Sequence, residues 1–188
     1  MGVLSMNTVI KSVIGSLSIC LGTYFSLVVD DDIISPIVFS SGILLVIYFN
    51  LNLITKDIPT AIANTEDGSK KYTIVPILIF NLLTAFIVGK IMSYDFELYT
   101  NATINNSILG GAVIGIVSLI AMENYDYKEL LIMLLMFCFV YLKLPHCVVY
   151  AFYGGLEVQI LKSLPIVVLG NIIGGSIVGL MHRAVTRL

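Results

Sequence analysis

Asn81-Leu82-Leu83-Thr84-Ala85-Phe86-Ile87-Val88-Gly89 returns ninety residues later as Asn171-Ile172-Ile173-Gly174-Gly175-Ser176-Ile177-Val178-Gly179. The asparagine, the apolar pair after it and the closing Ile-Val-Gly align without a gap, and a proline precedes each copy, Pro76 and Pro165. Apolar segments match one another easily by chance, so the offset carries more weight than the identities. An offset of 90 is close to half of the 188 residues, the spacing of a duplicated unit.

Each copy closes a set of three apolar runs. Together the six runs lie at about 7–29, 33–54, 72–93, 107–122, 129–154 and 162–182. Most approach the ~20 residues that a helix needs to cross hydrocarbon. None alternates apolar and polar residues as a barrel strand does, and in lipid only helices or closed barrels satisfy the backbone. Three is an odd number, so a second unit of three helices must run inverted through the bilayer. The expected fold is therefore all-α and integral to the membrane. It has six transmembrane helices in two inverted three-helix repeats, about 7–93 and about 105–184, within a single transmembrane domain spanning 1–188.

Composition points the same way. Hydrophobic residues make up 58% and charged residues 12%, half of the ~25% charge usual in a soluble domain. Mean hydropathy is +1.00. Six helices use about 120 residues and leave about 68, too few for a large catalytic domain outside the membrane. The net charge of −2 and the lack of any basic run argue against nucleic acid as a partner. No phosphate-binding glycine loop, metal cluster or nucleophile–base set is present, so neither an enzyme nor a cofactor is expected. Cys20, Cys138 and Cys147 lie inside apolar runs at spacings of no zinc or disulfide framework, and are expected to be small buried apolar residues.

The first run is too long for the core of a cleavable signal peptide and is expected to remain as a helix. With six alternating helices, Lys56, Lys70, Lys71, Lys128, Arg183 and Arg187 fall on one side. Asp30–Asp32, Asp95, Glu97 and Glu157 fall on the other. The excess of lysine and arginine puts both termini in the cytoplasm of a plasma (inner) membrane protein.

Inverted repeats place a substrate path at their interface, where helices are commonly broken. The second run is interrupted by Asn50, Asn52, Thr55, Lys56 and Asp57, and the fifth by Lys143, Pro145 and His146. Thr55 and Pro145 are themselves 90 apart. Pro145 lacks an N–H and disfavours helix at the residue before it. The backbone groups so freed are tolerable at membrane depth only in a cavity or buried in protein. Helices 2 and 5 are thus expected to be broken, with a hydroxyl at one break and an imidazole at the other.

His146 is an intramembrane ionisable residue, a functional candidate by default. An ordinary imidazole, with a pKa near 6.5, suits proton exchange with a weak acid. The competing reading is a buried neutral ring bonded to carbonyls at the break. Lys143 could attract an anion, or snorkel or tie freed carbonyls. Thr55 could offer a hydroxyl to a passing anion, or cap the second half of its helix. Asn81 and Asn171 could hold the broken backbone of neighbouring helices or act as interhelical glue, the reading favoured here.

These residues resemble the formate–nitrite transporter family. Phe39-Ser40-Ser41-Gly42-Ile43-Leu44-Leu45 leads to Leu53-Ile54-Thr55, similar to that family's Leu-Phe-Thr before its discontinuity. Phe139-Val140 precedes His146 as the family's Phe-Val precedes its Gly-Phe-Glu-His-Ser. The most specific match is Leu164-Pro165-Ile166-Val167-Val168-Leu169-Gly170-Asn171-Ile172-Ile173-Gly174-Gly175. The resemblance implies an aquaporin-like fold and a homopentamer with one pore per protomer. It implies passage of small monovalent weak-acid anions such as formate, nitrite, hydrosulfide, acetate or lactate. Thr55 and His146 match the central polar pair, and Phe39, Ile43, Leu53 and Phe139 match the apolar slits that flank it. Pro145 stands where the family has Glu, Tyr150 and Gly111 where it has Asn, and Lys143 where it has Gly. The family's vestibule lysine has no counterpart near Asp95 and Glu97.

The resulting expectation is a channel-like transporter for a small monovalent anion or its conjugate acid, embedded in the lipid bilayer. His146, Thr55 and Lys143 meet the substrate, and Asn171, Asn81 and Pro145 support the breaks. A channel of the same fold for a neutral solute, and a membrane scaffold that transports nothing, are the alternatives.

Overall fold

The computed structural model describes residues 5–64, 72–92, 98, 102–124 and 126–187. Among these residues there are eight α-helices and no strand: α1 (Met6–Val29), α2 (Ile34–Tyr48), α3 (Ile54–Ala63), α4 (Ile74–Ile91), α5 (Ile104–Met122), α6 (Lys128–Tyr141), α7 (Cys147–Leu156) and α8 (Leu164–Val185). Lys70, Lys71, Asp95 and Glu97, used above for orientation and for the vestibule, lie outside the described residues.

Helix ends follow local chemistry. Ser5 caps α1 by accepting the Thr8 N–H at 3.1 Å, and Thr103 caps α5 by accepting the Asn106 N–H at 3.2 Å. Helix α1 stops where Asp30 turns left-handed (φ 45°). The Asp31 carboxylate then accepts the N–H groups of Ile33 and Ile34 at 2.9 and 2.8 Å, which starts α2. Pro165 stands in the first turn of α8, where its missing N–H is harmless.

Helices α1, α4, α5 and α8 have 24, 18, 19 and 22 residues and are long and apolar enough to cross a membrane. Their outward faces keep large apolar side chains exposed, among them Leu21, Phe25, Leu83, Ile87, Leu169 and Leu180. Water does not tolerate such continuous apolar faces; the chain is an integral membrane protein. Helices α2 and α6, of 15 and 14 residues, are too short to span alone, and each is followed after a short break by a ten-residue helix, α3 or α7.

The halves interlock. Helix α1 packs on α2 and α4, and α5 packs on α6 and α8. The short helices cross over: α3 lies against α8, and α7 against α4. Small residues let the backbones meet. A Cβ on Gly110 would stand 2.6 Å from the Pro145 carbonyl oxygen, and Gly15 lies in the same close contact with the Asn52 carbonyl.

Two sequence expectations need correction. The stretch beginning at Thr55-Lys56-Asp57 is helix α3 rather than the break, which occupies residues 49–53. The helix forms despite its polarity because Asp57 reaches back to accept the Leu53 N–H at 2.9 Å and pairs with the Lys56 ammonium at 2.9 Å. Its remaining polar groups turn inward, Thr55 and Thr60 being buried. Cys20 and Cys147 are buried, but Cys138 is exposed, because α6 turns Ile132, Met136 and Phe139 inward and Cys138 lies off that face.

Candidate functional site

Both breaks are built by the same device. Helix α2 ends with the Asn50 N–H on the Ile47 carbonyl (3.1 Å) and the Leu51 N–H on the Val46 carbonyl (2.9 Å). Helix α6 ends with the Lys143 N–H on the Val140 carbonyl (2.8 Å) and the Leu144 N–H on the Phe139 carbonyl (3.1 Å). This is the bonding of a Schellman ending, which needs a left-handed residue. Asn50 (φ 47°) and Lys143 (φ 53°) supply it. Asparagine is a natural occupant of that conformation; lysine is not, and glycine would be.

Three residues further on, the chain is extended at Leu53 (φ −138°, ψ 124°) and at His146 (φ −123°, ψ 128°), and the next helix begins. The new N-termini carry N–H groups without helical partners. Asn81 and Asn171 meet one each. The Asn81 Oδ1 accepts the Ile54 N–H at 2.8 Å while its Nδ2 donates to the Ser12 and Asn52 carbonyls at 2.8 and 3.3 Å. The Asn171 Oδ1 accepts the Cys147 N–H at 2.8 Å while its Nδ2 donates to the Ser107 and Pro145 carbonyls at 2.8 and 3.0 Å. Each asparagine therefore ties three segments together and supports a broken backbone, which is more than the interhelical glue favoured from sequence.

These pairs also fix the register. Ile54 corresponds to Cys147 and Asn52 to Pro145, an offset of 93, whereas the asparagines are 90 apart. The partner of His146 by local structure is thus Leu53, and Thr55 is not the counterpart of Pro145.

Thr55 and His146 nevertheless meet. The Thr55 Oγ1 lies 2.9 Å from the His146 Nε2, with the two residues 2% and 3% exposed. Either the hydroxyl donates and Nδ1 carries the ring proton, or Nε2–H donates and Nδ1 is an acceptor. In both cases the buried Nδ1 has no hydrogen-bond partner among the described residues. Such an atom is costly unless a transient partner visits it.

Phe39 and Phe139 stack beside this pair, with ring centroids 6.4 Å apart and planes 16° apart, and Phe139 presents an edge-to-face contact to the His146 ring at 6.2 Å. A cavity of about 480 Å³ opens beside them; Phe39, Phe139 and His146 line it together with Asp30–Asp32, Lys143, Tyr150 and Tyr153. A smaller cavity of about 120 Å³, with Asn50, Lys56, Thr60 and Ser118 in its wall, lies at the far end of α2 and α5. The structure thus brings together His146, Thr55, Phe39 and Phe139. Lys143 is exposed on the cavity wall, Pro145 is buried in the break, and Ile43 and Leu53 are buried in the core at 1% and 0% exposure.

The sequence reading passed over Asp57, Tyr153 and the Asp30–Asp32 turn as parts of this site. Only Asp57 had a usable signal: a carboxylate four residues after the residue that opens a new helix. The rest share a cavity through tertiary packing alone.

No protein family profile matches the chain, and no curated protein does. Among solved structures, an FNT family ion channel is similar over 95% of this chain and 88% of its own, with a TM-score of 0.73 and 16% identity. At that identity the likeness establishes the fold: this chain has the fold of that channel.

Proposed function

We propose that the chain is a divergent member of the formate–nitrite transporter family and a channel-like transporter for a small monovalent weak acid. The observation that carries this reading is the buried Thr55–His146 bond beside the stacked Phe39 and Phe139 rings, with no partner for Nδ1 among the described residues. An anion would lose its hydration in an apolar slit, whereas its neutral acid would lose little. His146 and Thr55 are the hydrogen-bonding station between slits formed by Phe39 and Phe139 on one side and Ile43 and Leu53 on the other. His146, or water beside it, exchanges the proton. Lys143 offers a positive charge in the wider cavity. Asn81, Asn171 and Pro145 hold the breaks that place these groups.

In this reading the pairs α2–α3 and α6–α7 each make one crossing, which gives six spans in two inverted repeats. The protomers assemble as homopentamers in the plasma (inner) membrane with both termini in the cytoplasm. Similarity of fold, the repeated break geometry and the charge distribution of the loops support the spans and their orientation.

Flux of formate, nitrite, hydrosulfide and lactate into proteoliposomes tests the reading. At least one is expected to pass, faster as the external pH falls, and His146→Phe is expected to abolish that passage. Flux indifferent to both pH and His146→Phe would refute the mechanism.

A further inference from the structure

The wider cavity carries an unexpected charge. Among the described residues its walls include three carboxylates, Asp30, Asp31 and Asp32, against a single ammonium, Lys143, a formal balance of −2. Asp31 is tied to the backbone N–H groups of Ile34 and Ile33, which hold its carboxyl below the usual carboxylate range. The same cavity reaches His146, more than nine-tenths buried and with its Nδ1 unpartnered, so the space leads to a polar group that awaits a visitor. A mouth meant to gather anions has the opposite sign, because like charges lining a low-dielectric cleft lower the local concentration of the ion.

We propose that Asp30 and Asp32, with Asp31, form a charge filter that separates weak acids from the anions of strong acids. The inference rests on the weak-acid reading above and names the form that arrives at the slit. A negative mouth depletes a monoanion by some factor and enriches protons by that same factor. The product of the two concentrations, and hence the concentration of the neutral acid, is unchanged. A weak acid therefore reaches the phenylalanines undiminished as its neutral form. Nitrate or thiocyanate, which have no neutral form at physiological pH, are reduced. Any barrier deeper in the pore acts on whatever concentration the mouth delivers, so this selectivity multiplies that of the slits.

The test uses the full chain in proteoliposomes with nitrate as the strong-acid probe and formate as the weak-acid probe. Asp31 is left intact because it starts α2. In Asp30→Asn/Asp32→Asn, nitrate flux is expected to rise roughly three-fold or more at low ionic strength and to converge on wild type at high salt. Formate flux is expected to stay within about two-fold of wild type, since the neutral acid does not sense the field. Asp30→Asn/Asp32→Lys, which keeps lysine out of the left-handed position at 30, is expected to raise nitrate flux further, so the order of the three proteins follows their charge. Unchanged nitrate flux in both variants with normal formate flux overturns the filter alone. A parallel rise of nitrate and formate also overturns it, because that is the signature of a widened mouth. Absence of any weak-acid flux in the wild type would overturn the functional reading, and the filter with it.

Discussion

Replacing Asn171 with leucine, a side chain of similar volume, removes the hydrogen bonds at the second break while leaving little cavity behind. Three backbone groups lose a partner: the Cys147 N–H and the Ser107 and Pro145 carbonyls, bonded at 2.8, 2.8 and 3.0 Å in a buried setting. A buried polar group left unsatisfied costs about 1–3 kcal/mol, while hydrogen bonds measured within membranes average about 0.6 kcal/mol. Between the membrane average and the lower part of the unsatisfied-group range, three of them together amount to about 2–4 kcal/mol. At about 2–4 °C per kcal/mol for a chain of this size, the thermal midpoint of the detergent-solubilised protein should fall by on the order of 5–15 °C. Because Cys147 follows His146 directly, weak-acid flux should fall with it even below the melting temperature. Asn81→Leu should be somewhat milder, since its bond to the Asn52 carbonyl is already long at 3.3 Å. An Asn171→Leu protein that melts with the wild type and conducts like it would refute the view that this side chain holds the break.

Lys143→Gly should raise stability by about 1 kcal/mol because glycine adopts the left-handed conformation without strain, whereas Lys143→Ala keeps the Cβ and gains nothing. If both variants lose weak-acid flux alike, charge and not backbone is responsible; thermal unfolding together with flux separates the two. Gly110→Ala brings a Cβ to 2.6 Å from the Pro145 carbonyl oxygen and should destabilise the protein by about 1–3 kcal/mol. An alanine variant with wild-type thermal stability would show that the break can shift freely.

Much of this architecture was legible because lipid simplifies the reading. Continuous apolar runs marked the long helices, and polar residues inside two of them, Asn50 and Asn52 in one and Lys143 to His146 in the other, marked the breaks. The asparagines at 81 and 171 stood out as a repeated polar residue in apolar company. What a fixed offset could not supply was the register. The connection from α3 to α4 is longer than that from α7 to α8, so the spacing slides from 93 at the breaks to 90 at the asparagines. That slide assigned Thr55 to the break when it belongs to the first turn of α3. The polarity of Lys56 and Asp57 likewise hid a helix, because local composition does not reveal that Asp57 satisfies the Leu53 N–H. The meeting of Asp30–Asp32 with Lys143 in one cavity depends on how α1 and α2 lie beside α6 and α7, and no local pattern announces it.

Leu53 and His146 share a backbone conformation and a place in the repeated break, yet one is an aliphatic side chain and the other an imidazole. The repeated break offers two equivalent seats for a polar group, and this chain has filled only one of them. A scaffold that treats its two ends alike thereby acquires a sense of direction from a single side chain. Along the proposed path, a solute from the α6–α7 side would meet the titratable ring on its own half of the molecule. From the α2–α3 side it would first pass the aliphatic seat at Leu53. The molecule's front and back are thus distinguished by one codon, and position 53 is the natural address at which an engineer could equalise them.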